Sequence, residues 1–374
     1  MSARTRSSTA VAVAITATLT AATAALLTGC DPATGARATA TAPATGAPTA
    51  SASATSPVGG STPASTPTSA PGSTPTGTPT NPPTSTPTGT PAPPAGSRNP
   101  VLNGTAHGGL TISDGTRYVV MNGTRVDFGT AVRDLAWSPD GRKAVFIDGS
   151  GNLAVANPNG SGRVTVARNP GGQNWSHPTW QVTGYESVPE LSGRNNILFA
   201  VRKNGVSQLD TVPATAVNGT PKKLTLNGES GEDVKPLPQT GNAWPSAGGT
   251  HGSAVYANSA TGEVFIRDDY LRQGGSALTH GSQPAMSHAD AEEIVFVRSV
   301  GGHDHLFLER STDSGPVFRD LTPNATTDYT EPAFSPDGGT IAARTRAGIV
   351  TLSTKGSAAP KLVSTYTGLP TYRG

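Results

Sequence analysis

The stretch Asp134 to Gly160, "DLAWSPDGRKAVFIDGSGNLAVANPNG", recurs along the chain, and a recurring unit constrains a fold more than any single element inside it. It reads as a strand at Leu135, Ala136 and Trp137, a Ser138-Pro139-Asp140-Gly141 turn and a second strand over Ala144 to Ile147. A loop at Asp148 to Gly151, a strand over Leu153 to Ala156 and an Asn159-Gly160 turn complete it. Proline at the first central turn position fixes φ, and glycine two places on accepts the positive φ that closes a hairpin. The clearest second copy is Glu331-Pro332-Ala333-Phe334-Ser335-Pro336-Asp337-Gly338, followed by apolar runs at Ile341 to Ala343 and Ile349 to Leu352. Weaker copies begin at His177-Pro178-Thr179-Trp180, Lys235-Pro236-Leu237-Pro238, Gln283-Pro284-Ala285-Met286 and Leu369-Pro370-Thr371-Tyr372.

Aligned on the proline, a position held by Leu135 in the first unit, the copies start at 135, 178, 236, 284, 332 and 370. Those intervals suit a four-stranded propeller blade of roughly 40 to 50 residues. The second strands, such as Ala144-Val145-Phe146, Ile197-Leu198-Phe199, Ala254-Val255-Tyr256 and Ile294-Val295-Phe296, are continuously apolar, as expected of strands covered on both faces. The last copy stops one strand into a blade. The repeat region opens with three short strand-like pieces, Leu110 to Ser113, Arg117 to Met121 and Thr124 to Phe128, the latter two joined by an Asn122-Gly123 turn. One C-terminal strand plus three N-terminal strands makes a sixth blade and removes two exposed sheet edges. The expected fold is therefore all-β, a six-bladed β-propeller of four-stranded blades over residues 99–374.

The units "AWSPDGRKAVF" and "EPAFSPDGGTIAA" resemble the WD40-like repeats of TolB-type β-propellers, most clearly in the first and fifth copies, and the resemblance runs from about residue 105 to 374. It implies a six-bladed propeller, and TolB itself works in cell-envelope integrity through protein contacts. TolB proteins place an α/β domain before the propeller and are soluble in the periplasm. Here a different leader occupies that place, so a Tol-type role does not carry over.

That leader begins with Arg4 and Arg6, continues through an Ala/Val/Leu/Thr stretch and closes on Leu27-Thr28-Gly29-Cys30. A positive n-region before a short apolar segment reads as an export signal over residues 1–29. Its ending resembles a bacterial lipobox, in which the cysteine receives diacylglycerol and becomes the new N-terminus. Cys30 is the single cysteine of the sequence, which excludes an intrachain disulfide. Residues 30–98 are the lipidated cysteine and a Thr, Pro, Ser, Ala and Gly tract that has nothing to bury and reads as a disordered tether. As a coil it would span about 45 Å. Its Thr-Pro density resembles the O-glycosylated stalks of exported actinobacterial proteins, which points to a Gram-positive, actinobacterial lipoprotein anchored on the outer face of the cell membrane.

Arg4, Arg6, Arg37, Arg98 and Asp31 all precede the repeats, so of 27 basic and 25 acidic residues, 23 and 24 fall in 99–374, a net charge near minus one. No basic surplus drives nucleic-acid binding. The residue just before each first strand is Asp134, His177, Lys235, Gln283, Glu331 and Leu369. If first strands line a central channel, these positions ring one of its mouths, joined by Glu232, Asp233, His280 and Asp328 from connecting loops, and such a loop-rich mouth is where a propeller takes a ligand. His303-Asp304-His305 offers imidazoles with zinc or copper spacing, but its register places it in the solvated loop between second and third strands. No further metal ligand is identifiable, and no cofactor is called for.

The sequence contains no Gly-x-Ser-x-Gly elbow, no His-Glu-x-x-His and no phosphate-cradling glycine loop after a strand. The expectation is a monomeric, non-enzymatic binding or scaffold module in the cell envelope, with a protein or glycan ligand at the channel mouth. Two alternatives stay open: a propeller enzyme acting on extracellular glycans or peptides, and an accessory subunit of a transporter or envelope sensor.

Overall fold

A computed structural model describes residues 101–183, 193–228, 236–249, 252–268, 274–289, 293–356 and 358–374. The leader, Cys30 and the tether lie outside these residues, as do Glu232, Asp233 and Lys235. The described strands form six four-stranded antiparallel sheets. Blade 1 comprises Arg133–Trp137, Ala144–Ile147, Leu153–Ala156 and Val164–Ala167, from the innermost strand outward. Blade 2 comprises Asn174–Thr183, Arg194–Lys203, Val206–Pro213 and Lys222–Lys223. Blade 3 comprises Asn242–Gly248, Ser253–Asn258, Glu263–Arg267 and Gly275–His280. Blade 4 comprises Ser282–Met286, Glu293–Val300, His303–Thr312 and Gly315–Asp320. Blade 5 comprises Thr330–Phe334, Thr340–Thr345, Gly348–Ser353 and Lys361–Ser364. Blade 6 places Leu369–Tyr372 innermost, followed by Leu110–Ser113, Tyr118–Met121 and Thr124–Asp127. Each innermost strand touches those of its two neighbours, so the six sheets close into a ring.

Burial follows from this arrangement. A blade covered on both sides must be apolar on both sides, and the second strands of blades 1, 2 and 4 bury Phe146, Phe199 and Phe296 completely. Every blade interface has its own apolar cluster. Trp175, Trp180 and Phe199 meet Val145 and Val155 between blades 1 and 2, while Phe334 and Ile341 meet Ala285 and Val295 between blades 4 and 5. Leu110, Ile112 and Val120 of blade 6 meet Ala342 and Ile349 of blade 5. Full burial of such side chains contributes about 1.5 to 3 kcal/mol each.

The two Ser-Pro-Asp-Gly turns have the same wiring. Ser138 Oγ donates to Asp140 Oδ1 at 2.6 Å and accepts from the Lys143 N–H at 2.9 Å. Ser335 Oγ donates to Asp337 Oδ1 at 2.5 Å and accepts from the Thr340 N–H at 2.9 Å. Gly141 and Gly338 take the positive φ that the turn requires, 64° and 69°.

Blade 6 closes through a ladder in which Leu110 pairs Tyr372, Thr111 pairs Thr371, Ile112 pairs Pro370 and Ser113 pairs Leu369. The terminal residues also fasten blade 6 to blade 1: Arg373 Nε donates to the Gly141 carbonyl at 2.8 Å, and Trp137 Nε1 donates to Thr111 Oγ1 at 2.9 Å.

Two expectations are corrected. The innermost strand of blade 3 is Asn242–Gly248, so its inward position belongs to Trp244-Pro245 and not to Lys235-Pro236. His303, Asp304 and His305 are not in a loop but begin the third strand of blade 4, where Val300 pairs His303 and Arg298 pairs His305. Gly301-Gly302 alone makes the two-residue hairpin turn, which frees the following residues for the ladder.

Candidate binding site at the channel mouth

In blades 1 to 5 the pairing of the innermost strand with the second strand shifts by one residue at the same place: between Arg133 and Ala136, Ser176 and Thr179, Ala243 and Ser246, Ser282 and Ala285, and Thr330 and Ala333. Each shift is a β-bulge, in which two residues oppose one on the partner strand. The first residue of each pair takes a left-handed backbone: Asp134 at φ 53°, His177 at 49°, Trp244 at 53°, Gln283 at 48° and Glu331 at 53°. None is glycine; Asp134 and His177 are types that enter this region more readily, while for Trp244, Gln283 and Glu331 the conformation costs on the order of 1 kcal/mol each. The second residue is proline in four of the five, which suits a bulge because proline brings no N–H that would go unpaired.

The bulge re-aims the five side chains, and they line a central channel of about 140 Å³ together with Leu369. They also link successive blades. Asp134 Oδ2 accepts from the His177 N–H at 3.2 Å, the His177 ring lies against the Trp244 indole with centroids 3.5 Å apart, and Gln283 Oε1 accepts from the Glu331 N–H at 2.7 Å. Two residues further along the strands, Thr179 Oγ1 accepts from the Ala247 N–H and Ser246 Oγ from the Met286 N–H, both at 3.1 Å.

Two polar atoms of this ring are buried with no partner, His177 Nδ1 and Glu331 Oε2. The other carboxylate oxygen of Glu331 pairs with Arg344 Nη2 at 2.7 Å. Burial lowers the His177 pKa against the opposing pull of Asp134, which keeps the imidazole neutral at pH 7. Burial also raises Glu331 to about 7; Arg344 lowers it by less, and the negative charge of Asp134 raises it further. The mouth thus holds a carboxyl group poised between charge states and, on a strand across the ring, a neutral imidazole. Arg344 also borders a second, outer groove of about 530 Å³ with His303, Asp328 and Arg346.

Of the residues that the sequence singles out, Asp134, His177, Gln283 and Glu331 meet in the channel. Leu369 joins them from an unbulged strand. Trp244 and Arg344 were missed. The His-x-His cluster does not converge: His305 is buried against Asp320 at 2.8 Å, His303 faces Asp328 at 3.3 Å, and Asp304 Oδ1 accepts from Ser299 Oγ at 2.5 Å. Among the described residues, no three His, Cys, Asp or Glu side chains come together as metal ligands.

No protein-family model and no curated protein matches the chain. Solved structures similar to it include TolB from Acinetobacter baumannii, the family that the repeat units resemble, at 17% identity over 71% of this chain and 65% of that one, with a TM-score of 0.49. A structure from a study of two prolyl endopeptidases is similar at 13% identity over 67% of this chain and 41% of that one, with a TM-score of 0.39. Regucalcin from Agrobacterium tumefaciens, described as a calcium-binding protein, is similar at 10% identity over 66% and 85%, with a TM-score of 0.40.

Proposed function

We propose that the protein is an extracytoplasmic lipoprotein, held on the outer face of the cell membrane through Cys30, whose tethered propeller is a non-enzymatic binding or scaffold module for an envelope protein or glycan at the channel mouth. One observation carries the site: five bulged strands spend conformational strain at equivalent positions, and two of the side chains so aimed carry buried polar atoms without partners. Strain and unsatisfied polarity persist where a ligand uses them. The leader and tether carry the location, because a lone cysteine at the end of a signal followed by a Thr/Pro tract is the pattern of a surface anchor.

The test is affinity capture from detergent-solubilised envelopes with the full chain as bait, beside the His177→Ala/Glu331→Gln double variant. A specific partner retained by the wild type and lost by the variant is the expected result; equal capture by both overturns the mouth assignment. In the same preparation Cys30→Ala should move the protein from the membrane to the soluble fraction, and persistent membrane association would refute the lipid anchor. Capture of nothing, joined to turnover of a glycan or peptide that Glu331→Gln abolishes, would transfer the site to catalysis.

A further inference from the structure

We infer that the channel mouth is built to receive a primary ammonium group, held between the Glu331 carboxylate, the His177 imidazole and the Asp134 carboxylate. This rests on the mouth being a binding site, and it names the chemistry of the ligand. The unpartnered atoms are Glu331 Oε2 and His177 Nδ1. A carboxylate oxygen accepts hydrogen bonds only, and a neutral imidazole nitrogen accepts when its other nitrogen carries the proton. They come from blades 5 and 2, on opposite sides of a six-membered ring, so a group that serves both must offer several donors.

Charge decides between donors. Asp134 and Glu331 repel each other, as the effect of Asp134 on Glu331 shows, and among the described residues the cations that act on this pair and on His177, Arg344 and Arg133, leave Oε2 unserved. A hydroxyl would satisfy an orphaned atom but leave that repulsion intact. A cation relieves both. A bare metal ion is a poor fit, since it needs converging ligands within about 2.0 to 2.6 Å and no such group of three forms among the described residues. An ammonium differs from a metal ion in needing no closed set of three ligands: its N–H bonds of about 2.9 Å can go to the Glu331 carboxylate and one further acceptor, with the third donor left to water. Two sources supply this chemistry: a lysine-type side chain of a polypeptide, and the free amine of an unacetylated hexosamine.

Binding a cation beside Glu331 favours its ionised form, so complex formation below pH 7 should release a proton. The groups that face Glu331 in this linkage are Arg344 on the second strand of blade 5, Asp134 on blade 1 and the Gln283 amide on blade 4. His177 is faced by Asp134 and Arg133 of blade 1 and by Trp244 of blade 3.

The experiment is calorimetric titration of the full chain at pH 6.5 in phosphate and in MES, buffers of different ionisation enthalpy that contain no primary amine. The ligands are Nα-acetyl-lysine methylamide and a glucosamine trimer, each beside its fully N-acetylated form. At least one amine should bind about tenfold or more tightly than its acetylated form and release protons. Glu331→Gln should remove both effects, and Asp134→Asn, which keeps a side chain tolerant of left-handed backbone, should weaken binding about threefold or more. The preferred amine tells the polypeptide source from the glycan source. Equal binding of amine and acetylated forms, binding without proton release, or indifference to both variants overturns the inference. So does failure of every amine to bind at millimolar concentration. If the double variant still loses its captured partner in any of those cases, the mouth remains a binding site and only the ammonium assignment falls.

Discussion

In blades 1 to 5 the innermost strand carries an extra residue in a left-handed conformation, whereas Leu369–Tyr372 of blade 6 pairs with Leu110–Ser113 without interruption. The two designs solve different problems. In the five bulged blades the first and second strands are consecutive, and in blades 1 and 5 a Ser-Pro-Asp-Gly turn links them at one end. Register is then fixed by the connection, and the ladder can carry an inserted residue and its strain. In blade 6 the paired strands come from opposite ends of the repeat region, joined by no hairpin. Their register rests on the ladder and on side-chain packing alone. An extra residue there would loosen the one joint that closes the ring, and blade 6 accordingly gives the channel Leu369 on a plain strand, where its neighbours give polar or aromatic groups.

The largest expected effect breaks the closing joint. Deleting residues 369–374 removes the innermost strand of blade 6, the Arg373 link to the Gly141 carbonyl and the ladder partner of Leu110–Ser113. We expect stability to fall by more than about 5 kcal/mol, or the cooperative transition to vanish, in urea unfolding followed by circular dichroism. An unchanged midpoint would mean that the ring does not depend on this strand.

The next effect separates the bulged positions by pH. Glu331 sits at about 7 in the fold against an ordinary value of 4.5, so between those values the folded chain binds more protons than the unfolded one. Stability therefore falls as pH rises from 4.5 to about 7, by roughly 3 kcal/mol in all, and the loss is complete above that. His177 has the opposite sign: its lowered pKa contributes stability above 6.5 that is lost as pH falls through its folded value. Glu331→Gln should remove the first slope and gain most over wild type at pH 8. Parallel stability curves from pH 5 to 8 would show that burial at this bulge has no energetic consequence.

The smallest effect compares one residue from each design. Gln283→Gly relieves left-handed strain of about 1 kcal/mol and loses the bond to the Glu331 N–H, worth a similar amount, so its net change should lie within about 0.5 kcal/mol of zero. Leu369→Gly relieves nothing, forfeits partial burial and frees the chain, at a cost of roughly 1 to 2 kcal/mol. Equal losses at the two positions would show that the bulges store no strain.

Most of the architecture was legible because it repeats. Apolar second strands, Ser-Pro-Asp-Gly turns and the leftover strand at 369–372 define six blades and the composite closure. The register of blade 3 was legible in principle. The apolar runs of the second strands in blades 1, 4 and 5, at Ala144, Ile294 and Ile341, begin nine or ten residues after Leu135, Pro284 and Pro332, and Trp244-Pro245 keeps that spacing to Ala254 where Lys235-Pro236 does not. The longer connection in blade 2, between Thr183 and Arg194, masks the rule. The bulges were not legible, because the five residues, Asp, His, Trp, Gln and Glu, share no common local signal for left-handed backbone; tertiary closure imposes it. Arg344 was missed for a related reason, since its partnership with Glu331 depends on where the bulge turns that side chain.

The hydrogen bond from Thr111 Oγ1 to the Thr371 carbonyl, between residues 260 apart, also sets a timetable. The edge of Leu110–Ser113 is made early in synthesis and its partner late, so through most of elongation the growing chain is an open arc with one bare ladder. Bringing such distant strands together costs roughly 5 kcal/mol of loop-closure entropy, and folds governed by distant pairings form slowly. During that interval the same edge can accept a strand from a second nascent chain. Closure by the strand 369–372 thus covers the inner edge of Leu110–Ser113 while concentrating the hazard of misassembly at one site and one stage of biogenesis.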